Sequence, residues 1–332
     1  MIALAASAWY LPDKTLAVAE LPELATLSDA ERAICAALGI DRVPADDTLT
    51  AAELAARAGG RVLAAAGLDP GDVDVVLTVE PRAPQTLVSS EATRLQAMLG
   101  AGRAMAFSVG GLGCASLTPA LLTAGGLLRA DPDLAHVLVL HGSKPATPGR
   151  YRHPVTVNGD SGGALLLGRR GPVRIRDIVL ETNGDYADLF RVEYRDTPFA
   201  RWREECADPP SYNFRLAVET RNRLRALVKR LLARNGLTPA DITCYLTQNL
   251  STAAYRSWSE AIGAPIAPAC AANLARYGHL GPNDVFFNLT SARERGQFTD
   301  GDRAVLLNIS PAAAWSALLV TTEGGTDTAR EL

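Results

Sequence analysis

Gly67-Leu68-Asp69-Pro70-Gly71-Asp72-Val73-Asp74-Val75-Val76-Leu77-Thr78 is written a second time, 169 residues on, as Gly236-Leu237-Thr238-Pro239-Ala240-Asp241-Ile242-Thr243-Cys244-Tyr245-Leu246-Thr247. Both copies follow an Ala-, Leu- and Arg-rich segment expected to be helical, about Ala51–Ala66 and Tyr212–Asn235. In both, a turn leads into a short apolar strand. Self-similarity at a fixed offset marks an internal repeat. Two copies in 332 residues point to two similar α/β halves, 1–170 and 171–332, rather than a solenoid.

Between the copies lies Phe107-Ser108-Val109-Gly110-Gly111-Leu112-Gly113-Cys114-Ala115-Ser116-Leu117. An apolar strand runs into three glycines, and the chain then delivers Cys114 to the start of a helix. Leu117, Leu121, Ala124 and Leu128 fall on one helical face, and Asp131-Pro132 closes it. Unpaired N–H groups and the macrodipole at a helix N-terminus favour an anion, so the thiol is expected to ionise below its usual ~8.5. The glycines permit positive φ and close approach of a substrate. Strand, tight turn, nucleophile and helix make the mechanical arrangement of a nucleophile elbow, with residues unlike the serine-hydrolase version. The bland reading is a buried cysteine packed as a small hydrophobe.

The chain is 48% hydrophobic and 21% charged, which suits a soluble globular protein with ample core. Its formal charge is −3 and it has no basic run, which argues against nucleic acid as a partner. No apolar stretch approaches the ~20 residues that span a bilayer, so no membrane partner is expected. Met1–Pro12 contains Ala-Ser-Ala but lacks a charged n-region and is short; it reads as a first strand and turn, and a cytoplasmic location is expected. Five scattered cysteines without CxxC pairs argue against a disulfide framework and against a zinc site. Any imidazole base must be His136, His141, His153 or His279.

Carried forward by the repeat offset, Cys114 maps to position 283, inside Tyr277-Gly278-His279-Leu280-Gly281-Pro282-Asn283-Asp284. This is again a glycine-bearing loop opening a helix, with Pro282 near N1 and Val285, Phe286 and Leu289 on an apolar face. If the halves pack about a pseudo-twofold axis, the two loops face each other and His279 can meet Cys114. A nucleotide-binding βαβ unit is the alternative for each half, but neither glycine run fits GxGxxG. Further strands are expected over 137–140, 164–167, 175–181, 304–309 and 317–321. Arg150–Asp160 and the long Asn183–Pro210 segment read as loops, the second a lid or entrance.

These residues resemble the ketoacyl-acyl carrier protein synthase III group of the thiolase fold. The resemblance runs through Ser7-Ala8-Trp9-Tyr10-Leu11-Pro12, Leu38-Gly39-Ile40, the Cys114 elbow, Leu140-His141-Gly142-Ser143, Asn158-Gly159-Asp160-Ser161-Gly162-Gly163-Ala164 and Trp315-Ser316-Ala317-Leu318. It implies an α/β fold of five α-β-α-β-α layers, a homodimer, no permanently bound cofactor, and a thioester donor on coenzyme A or an acyl carrier protein. Cys114 matches the cysteine that takes the acyl group. Condensing members carry a His/Asn pair that polarises the malonyl thioester as carbon dioxide leaves. Here Leu246-Thr247-Gln248-Asn249-Leu250 puts Thr247 in the histidine's place, and Gly278-His279 stands where the asparagine motif would be. Loss of two preorganised donors costs several kcal/mol of barrier, which argues against decarboxylative condensation.

Closer is a branch that transfers acyl groups to hydroxyls or amines in antibiotic assembly and carries Gly-His-x-Gly-x-x-Asp, matched by Gly278-His279-Leu280-Gly281-Pro282-Asn283-Asp284. The resemblance gives a Cys114-His279-Asp284 triad: thiolate nucleophile, proton shuttle and orienting carboxylate. Thr247, Gln248 and Asn249 are expected to line the acceptor pocket. Leu87, in the Pro84–Ser90 stretch, is expected to fold over the partner's site. The oxyanion hole needs a second amide from Ser310-Pro311-Ala312-Ala313-Ala314; Pro311 has no N–H, so an alanine serves, with Ala313 a substrate contact. Residues 28–40 lack the Trp-and-Arg pair that relatives use for coenzyme A, which favours a carrier-protein donor. Arg201, Arg203, Arg221 and Arg256 are candidates to meet an acidic carrier, with solvated faces as the alternative. The expected function is acyl transfer from a thioester through Cys114 to a small-molecule hydroxyl or amine. Carbon–carbon condensation, or a non-catalytic partner subunit of a condensing enzyme, are the alternatives.

Overall fold

The structure is a computed structural model describing residues 2–322. The Glu323–Leu332 tail, expected to fray, lies outside the described residues. Among these, one large mixed sheet contains β1 (Ile2–Tyr10), β2 (Val75–Val79), β3 (Met105–Val109), β4 (Val137–Ser143), β5 (Ser161–Gly168), β6 (Val173–Thr182), β7 (Cys244–Thr247), β8 (Arg303–Ser310) and β9 (Ala314–Thr322). Their spatial order is β3-β2-β4-β5-β1-β6-β9-β8-β7. The helices are α1 (Asp29–Ala36), α2 (Ala51–Ala66), α3 (Glu91–Leu99), α4 (Leu117–Ala130), α5 (Ala217–Arg234), α6 (Thr252–Ile262), α7 (Pro268–Tyr277) and α8 (Asp284–Glu294).

Layering follows from which faces are apolar. Helices α2 and α3 cover the outside of the β3-to-β1 section, and α5 packs outside β6 and β9 with α6 against it. Helix α4 touches strands of both sections, and α8 packs on β7 and β8, so these two fill the middle. The result is an α-β-α-β-α stack. The predicted α4 stripe, Leu117, Leu121, Ala124 and Leu128, is buried throughout. Each leucine so buried contributes about 1.5–3 kcal/mol.

The repeated sequence produces repeated structure for a local reason. Gly67 and Gly236 both take left-handed φ, +66° and +64°. Pro70–Asp72 and Pro239–Asp241 both form one turn of 3-10 helix. Asp72 accepts from the Asp69 N–H at 3.1 Å, and Asp241 from the Thr238 N–H at 2.7 Å. These reciprocal turns aim β2 and β7 at matching places: β2 pairs in parallel with β4, and β7 with β8. On the far side of β7, where β3 flanks β2, there is a single bridge from Tyr245 to Ile266.

Three segments differ from the sequence expectation. Arg150–Asp160, read as a loop, contains a tight pairing of Tyr151–Arg152 with Thr156–Val157. Asn183–Pro210 is tied by a short pairing of Phe190–Arg191 with Glu205–Cys206. The helix expected from Tyr212 opens instead with a wide π turn at Ser211–Leu216, and its α-helical part begins at Ala217.

Candidate active site

Parallel strands β2 and β3 lie side by side, and their C-terminal ends carry the elbow. Gly111 and Gly113 hold φ of +86° and +53°, a region closed to most L side chains. A Cβ on Gly113 would come within 2.9 Å of Ser310 Oγ, so the elbow is pressed against the end of β8. The Leu112 N–H donates to Ser116 Oγ at 3.0 Å, and Asn308 Nδ2, from β8, donates to the Cys114 carbonyl at 3.1 Å. The chain makes a 3-10 turn over Gly113–Ser116 and continues into α4, leaving Cys114 buried at its head.

His279 arrives from the other half. The His279 N–H donates to the Val157 carbonyl at 2.9 Å, and the Gly159 N–H donates to the His279 carbonyl at 3.0 Å. The front-half hairpin thus strings the histidine into place. Its Nε2 lies 2.9 Å from Cys114 Sγ, and its Nδ1 lies 2.5 Å from Asp284 Oδ2. Asp284 opens α8, where the dipole favours a carboxylate. It also accepts from the Leu280 N–H at 2.8 Å and the Asn249 N–H at 2.9 Å. Nδ1 therefore donates to Asp284, which leaves Nε2 for the sulfur. All three residues are buried.

The charges are set by this contact. Burial would push the Cys114 thiol up, but His279 foremost, then Arg82 and Arg152, outweigh it and hold the thiol at about 6. Burial would push the His279 imidazolium down, but the Cys114 thiolate and then Asp284 raise it to about 9. Near neutral pH the two form a thiolate–imidazolium pair. The other buried cysteines behave oppositely: burial drives Cys35 up to about 11 and Cys244 and Cys270 up to about 12. Of the buried thiols, only Cys114 is prepared as a nucleophile.

The expected pocket residues fall elsewhere. Thr247, Gln248 and Asn249 are fully buried. Gln248 is spent on Ile309: its Nε2 donates to that carbonyl, and its Oε1 accepts from that N–H at 2.6 Å. Asn249 Oδ1 accepts from Tyr255 Oη at 3.1 Å and Asn288 Nδ2 at 2.9 Å, while Asn288 Nδ2 also donates to the Thr247 carbonyl at 2.6 Å. The three therefore brace the loop behind Asp284. The neighbouring cleft, about 260 Å³, is lined instead by Leu250, Ser251, Ser310, Pro311, Val155 and Tyr212, among others. Ala313 is buried in the β8–β9 turn at φ +50°, outside that wall, and the Ala312 N–H is engaged by Ser310 Oγ at 3.2 Å. Leu87 is 73% exposed and lines no part of that cleft. Burial lowers His141 to about 4; this neutral ring donates from Nδ1 to the Val79 carbonyl at 2.9 Å. His153 contacts Tyr151 Oη. Of the four arginines, Arg221 pairs with Glu260 at 3.6 Å.

Sequence reasoning missed Arg82, whose Nη2 stands 3.9 Å from Cys114 Sγ. It follows β2, the strand beside the one that feeds the elbow. Ligands of parallel sheets gather at those strand ends, a rule that pointed to it.

A cysteine elbow from one half meeting an acid–base loop from the other, inside an α-β-α-β-α stack, defines a thiolase-fold protein. Residues 232–322 match the C-terminal model of 3-oxoacyl-[acyl-carrier-protein (ACP)] synthase III. The chain is similar to the beta-ketoacyl-[acyl-carrier-protein] synthase III of Cereibacter sphaeroides, 28% identical over 320 residues, covering 94% of this chain and 96% of that one. The solved 3-oxoacyl-[acyl-carrier-protein] synthase III of Aquifex aeolicus superposes with a TM-score of 0.80 at 19% identity, covering 97% of this chain and all of that one. The acyltransferase ChlB3 superposes at 0.82 with 21% identity, covering 97% and 98%. Over nearly its whole length the chain is thus similar to ketoacyl-acyl carrier protein synthase III-like proteins of the thiolase fold, which are transferases. Among the described residues no helix is long and apolar enough to cross a membrane.

Proposed function

We propose that the protein is an acyltransferase that moves an acyl group from a coenzyme A or carrier-protein thioester, through Cys114, to a hydroxyl or amine of a small molecule in secondary metabolism. The observation that carries this reading is the unbroken Cys114–His279–Asp284 relay. The Cys114 thiolate attacks the donor carbonyl, the new S–C bond forms, and His279 gives its Nε2 proton to the departing thiol. Acylation removes the negative sulfur that chiefly raises His279. The imidazole is then a neutral base, positioned to take the proton of an incoming O–H or N–H. Collapse of the second tetrahedral intermediate expels the Cys114 thiolate and regenerates the ion pair.

The test is intact-protein mass spectrometry with a panel of acyl thioesters, followed by addition of alcohol and amine acceptors. The wild-type chain should gain one acyl mass, Cys114→Ala should gain none, and His279→Ala should load slowly and fail to discharge. An adduct that survives Cys114→Ala ends the reading.

Decarboxylative condensation is the second reading, favoured by the similarity to beta-ketoacyl-[acyl-carrier-protein] synthases III. Against it, Thr247 stands where condensing members place their histidine, and its hydroxyl is buried without a partner. Release of carbon dioxide from malonyl thioesters in step with product would establish it. A homodimer forms part of the proposal. Among the described residues strand β3 ends the sheet with one edge unpaired, and Met105 on it is exposed, as are Met98 and Leu122 on the helices α3 and α4 that pack against it. Bare apolar edges of this kind are usually covered.

A further inference from the structure

Arg82 stands beside the sulfur that would take the acyl group, and its side chain's only hydrogen bond among the described residues is to Cys114 Sγ at 3.9 Å. Its Nε is buried without an acceptor. Other cations nearby are committed. Arg152 pairs with Glu204, Arg150 with Asp160 at 2.7 Å, and Lys144 donates to the carbonyls of Asp46 and Leu49 at 2.7 and 2.6 Å. Among the described residues Arg82 makes no ion pair, although Glu80 is two residues away.

While the sulfur is a thiolate, Arg82 has a counter-charge. Once the sulfur is acylated that charge is gone, and a half-buried guanidinium faces a neutral thioester. An apolar acyl chain would leave this cation desolvated and unpaired at the moment the intermediate must persist. A carboxylate on the acyl chain would replace the lost charge and offer the planar fork its preferred bidentate partner. With C–C bonds of about 1.5 Å, a carboxylate two or three bonds beyond the thioester carbon falls within reach of the guanidinium.

We infer that Arg82 reads a carboxylate on the donor acyl group, so that the donor is a short carboxyacyl thioester of three or four carbons. The inference rests on the reading that Cys114 is the acyl acceptor. The chemistry is that of the proposed transfer: the thioester C–S bond breaks, the Cys114 S–C bond forms, and the leaving thiol takes the His279 proton. The carboxylate is carried through both steps unchanged.

The experiment compares succinyl- and butyryl-coenzyme A, matched in chain length, in acyl loading followed by intact mass. Wild type should load succinyl about 10- to 100-fold faster than butyryl, the range expected for a charged hydrogen-bonded contact. Arg82→Gln should slow both arms, because Arg82 also helps hold the thiolate, but should slow succinyl loading about 10- to 100-fold more than butyryl loading and so erase the preference, and Arg82→Lys should restore part of it. Butyryl loading in each variant reports that the site is folded. Equal loss in both arms would make Arg82 a thiol activator alone and overturn the inference, as would wild type preferring butyryl. Absence of a Cys114 adduct with every donor would instead sink the acyl-enzyme reading beneath it.

Discussion

His279→Gln isolates the interaction on which the site depends. In the wild type, the Cys114 thiol is held at about 6 against an ordinary value of 9.0, a preference for thiolate of about 4 kcal/mol. His279 is the leading cause of that lowering, and burial pushes the other way. Without the imidazolium, burial is opposed only by Arg82 and Arg152, so the thiol should titrate at or above 9.0. At pH 7 the thiolate fraction then falls from roughly nine in ten to about one in a hundred. A more basic thiolate is also more nucleophilic, by about 15- to 30-fold over three pH units at a Brønsted slope of 0.4–0.5. The alkylation rate at pH 7 should therefore fall only several-fold. The decisive reading is the pH profile: the iodoacetamide midpoint should move from about 6 to 9 or higher, with the reactivity plateau above the new midpoint exceeding that of wild type. A midpoint that stays near 6 would show that the elbow amides and arginines set the thiol, and the ion pair would lose its role.

Wild-type acyl loading should be bell-shaped in pH. It rises through about 6 as the thiolate forms and falls through about 9 as His279 loses the proton it gives to the leaving thiol. Stopped-flow loading with one donor across that span checks it. Asp284→Asn should lower transfer by about 10³- to 10⁴-fold while leaving folding intact, because an amide can donate to Nδ1 and turn the proton-bearing nitrogen toward the sulfur. Acceptor discharge followed by mass, with circular dichroism alongside, measures both. Gly113→Ala places a side chain at φ +53° and 2.9 Å from Ser310 Oγ. It should cost about 1–3 kcal/mol in urea melts and slow loading by displacing Cys114. Met105→Asp on the open edge of β3 should convert a dimer to monomer in sedimentation velocity.

The parts of this molecule legible in the sequence were those set by local rules. The expected 51–66 helix is found over Ala51–Ala66 because Thr50 and Glu53 cap it reciprocally and Gly67 ends it in a left-handed turn. The elbow was visible because only glycines permit its backbone, and the Cys114–His279 meeting followed from the repeat. Hidden were features that depend on packing between distant segments. Nothing near Asn249 says that Asn288 and Tyr255 will consume its amide oxygen. The strand-end rule places Pro81-Arg82-Ala83 near the site, but nothing in those residues says that the arginine will turn toward a sulfur 32 residues away. The polar run at Thr247–Asn249 reads like a pocket wall for the same reason. Whether a polar side chain faces substrate or backbone is decided by Ile309 and Asp284, which arrive later in the chain.

In the proposed transfer, the same charges that make the nucleophile would also order the two half-reactions. Before loading, sulfur and imidazole stabilise each other's ionised forms, so His279 can act only as an acid. Loading neutralises the sulfur and removes the largest influence holding the proton on His279, while burial, which disfavours the cation, remains. The residue therefore becomes a base only after an acyl group is in place. An acceptor bound too early meets an imidazolium, and water entering the empty site meets no base. A site with this order wastes little thioester. It follows that a donor whose acyl chain carries its own negative charge should hold His279 protonated for longer, and should discharge to acceptors more slowly than it loads. Single-turnover traces for succinyl and butyryl donors, fitted separately for loading and discharge, should show succinyl faster in the first phase and slower in the second. If discharge is equally fast for both, the sulfur alone governs the base.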